Sequence, residues 1–217
     1  MNKDDSKTYL NKDLINEIIS LIKNDNLELA QDKVGSLMYK FPSSDIILNL
    51  KGIIFLKKKE YEIAQNSFLE AIKINPHFTS AKLNLGIVYQ NLGKNEEALN
   101  CFKEITKTDN TLPAVYNNMG FVLYTQNKYP EAIKELNKAI ELKKDYAEAF
   151  LNLGMVYLNL KKYEAAIKFF NQSLVHDNKL TSVYFYLGEC YKNIDNINKA
   201  LVYYSQSNHE KTNSKIL

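Results

Sequence analysis

The chain has 217 residues, 45% of them hydrophobic, with 28 Lys and Arg against 25 Asp and Glu and a formal net charge of +3. That hydrophobic fraction excludes a disordered polypeptide, and so small a basic excess, spread along the chain, excludes a nucleic-acid surface. No apolar run approaches the ~18 residues of a membrane span or forms an N-terminal signal. Cys101 and Cys190 stand far apart with no Cys or His close by, so a disulfide or zinc site is not expected and a reducing cytoplasm is.

In chain order, residues 1–10 are polar and read as a flexible N-terminus. From Asn11 a strict period takes over. Gly52, Gly86, Gly120, Gly154 and Gly188 follow one another at 34 residues, and so do Ala64, Ala98, Ala132, Ala166 and Ala200. A large residue trails each alanine: Phe68, Phe102, Leu136, Phe170 and Tyr204. The frame is 11–44, 45–78, 79–112, 113–146, 147–180 and 181–214. The copy at 11–44 is degenerate: Ile18 replaces the glycine, while Leu14, Leu21, Ala30, Val34, Leu37 and Pro42 keep the other places. The copy at 181–214 diverges, with Ile197 and Asn198 for the usual Tyr-Glu and Ser207 for an alanine. Residues 208–217 read as a polar, frayed tail.

Each half of a copy carries the helical period. In 79–112, Leu85, Val88, Tyr89 and Leu92 share one face, as do Ala98, Leu99, Phe102 and Ile105. Each helix is expected to run for ~13 residues, about 20 Å. Between the halves stands Asp25, Gly93, Asn127 or Asp195, residue types that tolerate a left-handed helix end, or a bulkier Lys59 or Lys161. Pro130 falls in the first turn of a second helix, where proline is accepted. Asn75-Pro76, Asp109-Asn110, Lys143-Lys144-Asp145 and Asp177-Asn178 are short inter-copy turns, so no domain boundary is expected between about Asn11 and Ser207. Small Gly86 and Ala98 let the two helices approach, and Tyr89 and Phe102 fill the space beyond. Burying one such side chain is worth roughly 1.5–3 kcal/mol. Against ~1–2 kcal/mol of entropy for each ordered residue, one copy is unstable alone, and stacking is what folds the array.

The pattern Leu-Gly-x-x-Tyr, then Ala, Phe and Ala, at period 34, resembles the tetratricopeptide repeat. The best-matched copies are 45–78, 79–112 and 147–180; in the first, Leu48, Gly52, Phe55, Ala64, Phe68, Ala71 and Pro76 fill signature places. Pentatricopeptide repeats, a related RNA-reading class, lack this glycine–tyrosine pair. The resemblance implies an all-α, right-handed superhelical α-solenoid of about six antiparallel helix-turn-helix repeats. It also implies a non-catalytic scaffold or adaptor, without cofactor, that holds an extended or helical segment of a partner protein in a concave groove lined by first helices.

Carried onto this chain, the groove positions two before the glycine are Asn16, Leu50, Asn84, Asn118, Asn152 and Tyr186. Asn84, Asn118 and Asn152 form a ladder of primary amides, able to pair with a peptide backbone without reading its sequence or, alternatively, to stabilise the hairpins. Ile53, Ile87, Phe121 and Met155 follow the glycines and give an apolar floor, part of which could equally be inter-repeat core. Gln90, Tyr124 and Leu158 lie one turn further, flanked by Asn91, Thr125 and Asn159. A dicarboxylate clamp of the co-chaperone kind needs Lys and Asn four apart on the first helix. Asn49/Ile53, Leu83/Ile87 and Asn117/Phe121 lack the lysine, which disfavours that role.

No phosphate loop, nucleophile elbow or metal motif occurs. His77, His176 and His209 stand at or near copy ends, and Lys57-Lys58-Lys59 and Lys161-Lys162 are solvated helix ends. Glu131, Glu135 and Glu141 with Lys134 and Lys138 make a charged outer face. Leu201, Tyr203 and Tyr204 leave the outer face of the last copy open to self-association or docking, giving a monomer or a weak homo-oligomer through the terminal repeats; the alternative is that the tyrosine hydroxyls keep that end soluble.

Overall fold

A computed structural model describes residues 12–213, with side chains through residue 207. The polar segments expected to be flexible, 1–10 and the last four residues of the tail, lie outside the described residues. Twelve α-helices and no strand are present among the described residues. They are α1 (Lys12–Lys23), α2 (Leu27–Lys40), α3 (Asp45–Lys57), α4 (Tyr61–Ile74), α5 (Thr79–Asn91), α6 (Asn95–Thr108), α7 (Pro113–Thr125), α8 (Tyr129–Leu142), α9 (Ala147–Asn159), α10 (Tyr163–His176), α11 (Ser182–Asn193) and α12 (Ile197–Asn213). The first eleven have 12 to 14 residues, close to the length that the periodicity gives, and α12 has 17.

Every odd helix ends in the same way. Asp25, Lys59, Gly93, Asn127, Lys161 and Asp195 take φ between 57° and 71°. In each case the following N–H reaches back five residues, as in Asn26 N to Leu21 O at 2.9 Å and Lys162 N to Tyr157 O at 2.9 Å. This double closure satisfies carbonyls that a helix end leaves bare. Of the six, only Gly93 is free of a Cβ; Asp25, Asn127 and Asp195 carry short polar side chains that tolerate the left-handed site, and Lys59 and Lys161 do not. Replacing Lys161 by glycine is therefore expected to raise stability by about 0.5–1 kcal/mol in a urea melt, since a left-handed non-glycine residue costs roughly 1–2 kcal/mol.

The glycine that marks each copy serves a specific neighbour. A Cβ built on Gly52 would lie 2.5 Å from the Phe68 ring, on Gly154 2.5 Å from the Phe170 ring, on Gly188 2.5 Å from the Tyr204 ring, and on Gly120 2.5 Å from Cγ of Leu136. The gap is thus kept chiefly for the large residue of the second helix; among the partner alanines only Ala132 adds a close atom, its backbone oxygen 3.2 Å from a Cβ on Gly120. Phe68 and Phe170 are wholly buried on these glycines.

Where the spacing predicts an undivided array, contacts group the chain into two compact units, Met1–Cys101 and Phe102–Leu217, with the division inside α6. Each unit is a stack of helical hairpins, an all-α repeat solenoid. In the first, α2 and α4 pack on the next hairpin's α3 and α5; in the second, α8 and α10 pack on α9 and α11. First helices also touch one another, α1 with α3 and α3 with α5, then α7 with α9 and α9 with α11. Among the described residues the second helices α2 and α4, or α8 and α10, do not. First helices therefore form the inner layer of each unit.

Candidate functional site

The inner layer is a set of seams between neighbouring first helices. In the first unit, Asn84 Nδ2 donates to Asn49 Oδ1 at 3.2 Å, joining α5 to α3. In the second, Asn152 Nδ2 donates to Asn117 Oδ1 at 2.9 Å, joining α9 to α7, with Asn117 and Asn152 both buried. A third bond of the same kind runs from Asn159 Nδ2 to the Tyr124 hydroxyl at 2.8 Å. All three span 35 residues, one more than the repeat. A side chain on one first helix therefore meets its predecessor's counterpart one place earlier, a shift the period itself does not announce.

Of the ladder expected from sequence, Asn84 lies in the first unit and Asn118 and Asn152 in the second. The amides of Asn84 and Asn152 are engaged with neighbouring hairpins, and Asn118 is half-buried. Asn49 and Asn117, their acceptors, carry no repeat signature; only the spacing of 35 could have found them. Because an unpaired buried amide costs about 1–3 kcal/mol, Asn152→Ala is expected to lose about that much stability by leaving Asn117 without a donor. Changing Asn117 and Asn152 together to leucine should restore part of it, a contrast that thermal melts would read.

The floor residues are half-buried: Ile87 and Gln90 in the first unit, Phe121, Tyr124 and Met155 in the second, with Asn159 exposed beside them. Phe121 and Tyr124 lie with ring centroids 6.0 Å apart, and Tyr129 completes the run at 6.3 Å from Tyr124. Burial pushes the Tyr124 phenol above its ordinary value, against the opposing hydrogen bond from Asn159. Met155 also packs on the cluster of Phe170, Val183, Leu187 and Cys190, so its inner edge belongs to the α9–α11 joint and only its remainder to the surface. In the first unit, Oε1 of Gln90 is buried with no hydrogen-bond partner. The second unit also presents Phe185, 47% exposed, which the signature does not single out. It touches Tyr186 and Tyr204, with centroids at 5.6 and 6.0 Å.

His176, Tyr204 and Glu189 have structural partners, and Cys190 is buried. His176 stacks on Phe150 at 5.2 Å. Burial, helped by Glu189, pushes the Cys190 thiol up to about 12, which keeps it protonated and unreactive at neutral pH. The Tyr204 hydroxyl donates to Glu189 Oε1. Among the described residues no cluster of His, Cys, Asp and Glu is placed to hold a metal, and no helix is long and apolar enough to cross a membrane.

Comparison with known families and structures fits this geometry. Profiles described as tetratricopeptide repeat match residues 47–78, 79–111 and 147–179, and one described as TPR repeat matches 122–161, together more than half of the chain. No curated protein matches the sequence. Among solved structures, PilW, described as a widely conserved type IV pilus biogenesis factor, superposes with a TM-score of 0.80 at 17% identity over 91% of this chain and 93% of that one. PilF of Pseudomonas aeruginosa gives 0.73 at 17% identity over 88% and 86%. YrrB, described as a TPR protein with an unusual peptide-binding site, gives 0.56 at 20% identity over 80% and 90%. At these identities the likeness is one of fold.

Proposed function

Since the chain belongs to the tetratricopeptide repeat family, whose members are generally non-catalytic protein-interaction scaffolds, we propose that it holds a segment of a partner protein against the inner layer of first helices. The observation that carries this reading is the seam between α7 and α9. There Phe121, Tyr124 and part of Met155 present an apolar strip, and the exposed amide of Asn159 stands at its edge. Such a strip takes the side chains of an extended segment, and the amide oxygen, its nitrogen being engaged by the Tyr124 hydroxyl and the Met155 carbonyl, takes a backbone N–H. YrrB, a relative in fold, is described as having a peptide-binding site, which is in keeping with this use of the scaffold. A cytoplasmic setting belongs to the same proposal.

The structure alters how the amide ladder is read. Asn84 and Asn152 first hold hairpins together, so the direct contacts are assigned in the second unit to Phe121, Tyr124, Met155 and Asn159, with Asn118 on the same helix α7 as Phe121 and Tyr124, and in the first unit, separately, to Ile87 and Gln90. The test is capture from native lysate on immobilised wild-type chain beside a Phe121→Ala/Asn159→Ala variant that melts normally. Partners enriched at least about tenfold on the wild type, a difference of ~1.4 kcal/mol, are expected. The same proteins in equal amounts on both would sink the reading.

A further inference from the structure

We propose that the outer surface of the last hairpin, α11 with α12, is a second docking site, for one amphipathic helix of a partner protein that carries a basic residue beside its apolar stripe. Inside each unit, a hairpin receives the next first helix on a fixed surface. Leu151, Met155 and Leu158 of α9 and Ile167, Phe170 and Leu174 of α10 pack with Val183, Leu187 and Cys190 of α11. In the first unit, Ala64, Phe68 and Ala71 pack with Ala81, Leu85 and Val88 of α5. At these two joints the incoming helix offers a small or branched residue, a leucine four places on, and a small or branched residue three beyond that, which is one helical stripe.

One period after Ile167 and Phe170 stand Leu201 and Tyr204, and one period after Leu151, Met155 and Leu158 stand Phe185, Glu189 and Lys192. This is the receiving surface again, but Leu201 is 62% exposed and Phe185 47% exposed, with Ile197 one turn before Leu201 at 53%. Among the described residues α12 packs on α11 alone.

Charge says what fits. Within a unit, the amide two before the incoming helix's glycine lies against the fifth residue of the helix before it, Asn84 on Asn49 and Asn152 on Asn117. On the last hairpin the residue two periods after Asn117 is Phe185, the fourth of α11, and one turn on is Glu189, whose Oε1 takes the Tyr204 hydroxyl. A lysine or arginine on the incoming helix would sit over the Phe185 ring and beside the Glu189 carboxylate, a pairing that both ring and charge favour. Helix α1 of a second copy does not supply that stripe. At the stripe positions α1 carries Asp13, Glu17 and Ser20, all exposed, where α5 carries Ala81, Leu85 and Val88.

The probe is a lactam-bridged helical peptide with the sequence of Ala147–Asn159, which holds the stripe Ala149, Leu153 and Val156, made with Asn152→Lys and titrated against the full chain by fluorescence anisotropy. Saturable binding is expected, weakened at least about tenfold by Leu201→Asp, whose fold circular dichroism would verify. Glu189→Gln, which keeps the bond to Tyr204, should weaken the lysine peptide several-fold and leave the unsubstituted peptide unchanged. The proposal is overturned by no saturable binding up to millimolar peptide, by equal binding to Leu201→Asp, or by equal sensitivity of both peptides to Glu189→Gln. It is likewise overturned if sedimentation equilibrium shows the chain alone dimerising through Leu201. Variants at Phe121 and Asn159 leave this surface untouched, so its fate is separable from that of the inner layer.

Discussion

Phe170→Ala is expected to destabilise the second unit by about 3–5 kcal/mol, the usual cost of emptying a buried phenylalanine site. Gly154→Ala alone is expected to cost about 1–2 kcal/mol. The added methyl would lie 2.5 Å from the ring of a phenylalanine that is fully buried and has nowhere to retreat. Overpacking of that kind costs about 1–3 kcal/mol, and the better helix propensity of alanine offsets up to ~1 kcal/mol of it. The informative protein is the double variant. Without the ring the methyl has no opponent, so in the Phe170→Ala background Gly154→Ala should become neutral or stabilising, by up to about 1 kcal/mol. A coupling of roughly 2 kcal/mol in urea melts would show that the glycine exists for the ring. Additivity would show instead that it serves the crossing of the two backbones.

Tyr124→Ala is expected to weaken binding of a captured partner segment by about 2 kcal/mol or more, roughly thirtyfold, as an aromatic anchor in a half-buried strip does when truncated. Tyr124→Phe separates the ring from its hydroxyl. It keeps the contact with Phe121 and removes one of the two acceptors of Asn159, leaving the Met155 carbonyl. A loss of only about 0.5–1 kcal/mol is expected, the net worth of one hydrogen bond. Isothermal titration with the synthetic segment reads both. Equal losses for the two variants would move the weight from the apolar strip to the amide, and no loss for either would remove Tyr124 from the site.

The scaffold is legible in the sequence because its determinants are local and repeated. One glycine, one alanine and one large residue in each copy after the first define where two helices cross, and Asp25, Asn127 and Asp195 announce left-handed turns by residue type. Lys59 and Lys161 adopt the same turn with no such signal, because closure by two backbone hydrogen bonds fixes the geometry whatever the side chain. The inner layer is harder to read. Asn84, Asn118 and Asn152 stand out as a periodic row, yet the structure pairs Asn84 and Asn152 with Asn49 and Asn117. That pairing follows from the offset between neighbouring first helices, a quantity set by how hairpins stack and not by the order of residues within one of them. Met155 shows the same limit: its position after the glycine is fixed by the frame, but how much of it faces the α9–α11 joint is decided by Phe170 and Leu187 on other helices. Phe185 escapes notice because its place in the frame is held by Asn49, Leu83, Asn117 and Leu151 elsewhere, and only the fold shows that it is left uncovered.

The most direct measurement replaces Phe121, on the inner layer, with a photoreactive phenylalanine analogue and, in a second protein, does the same at Lys134 on the exposed side of α8. Each is irradiated with the captured partner segment. The segment should become covalently attached through position 121 and not through position 134. Attachment through 134 alone would contradict the assignment of the first-helix layer as the binding surface.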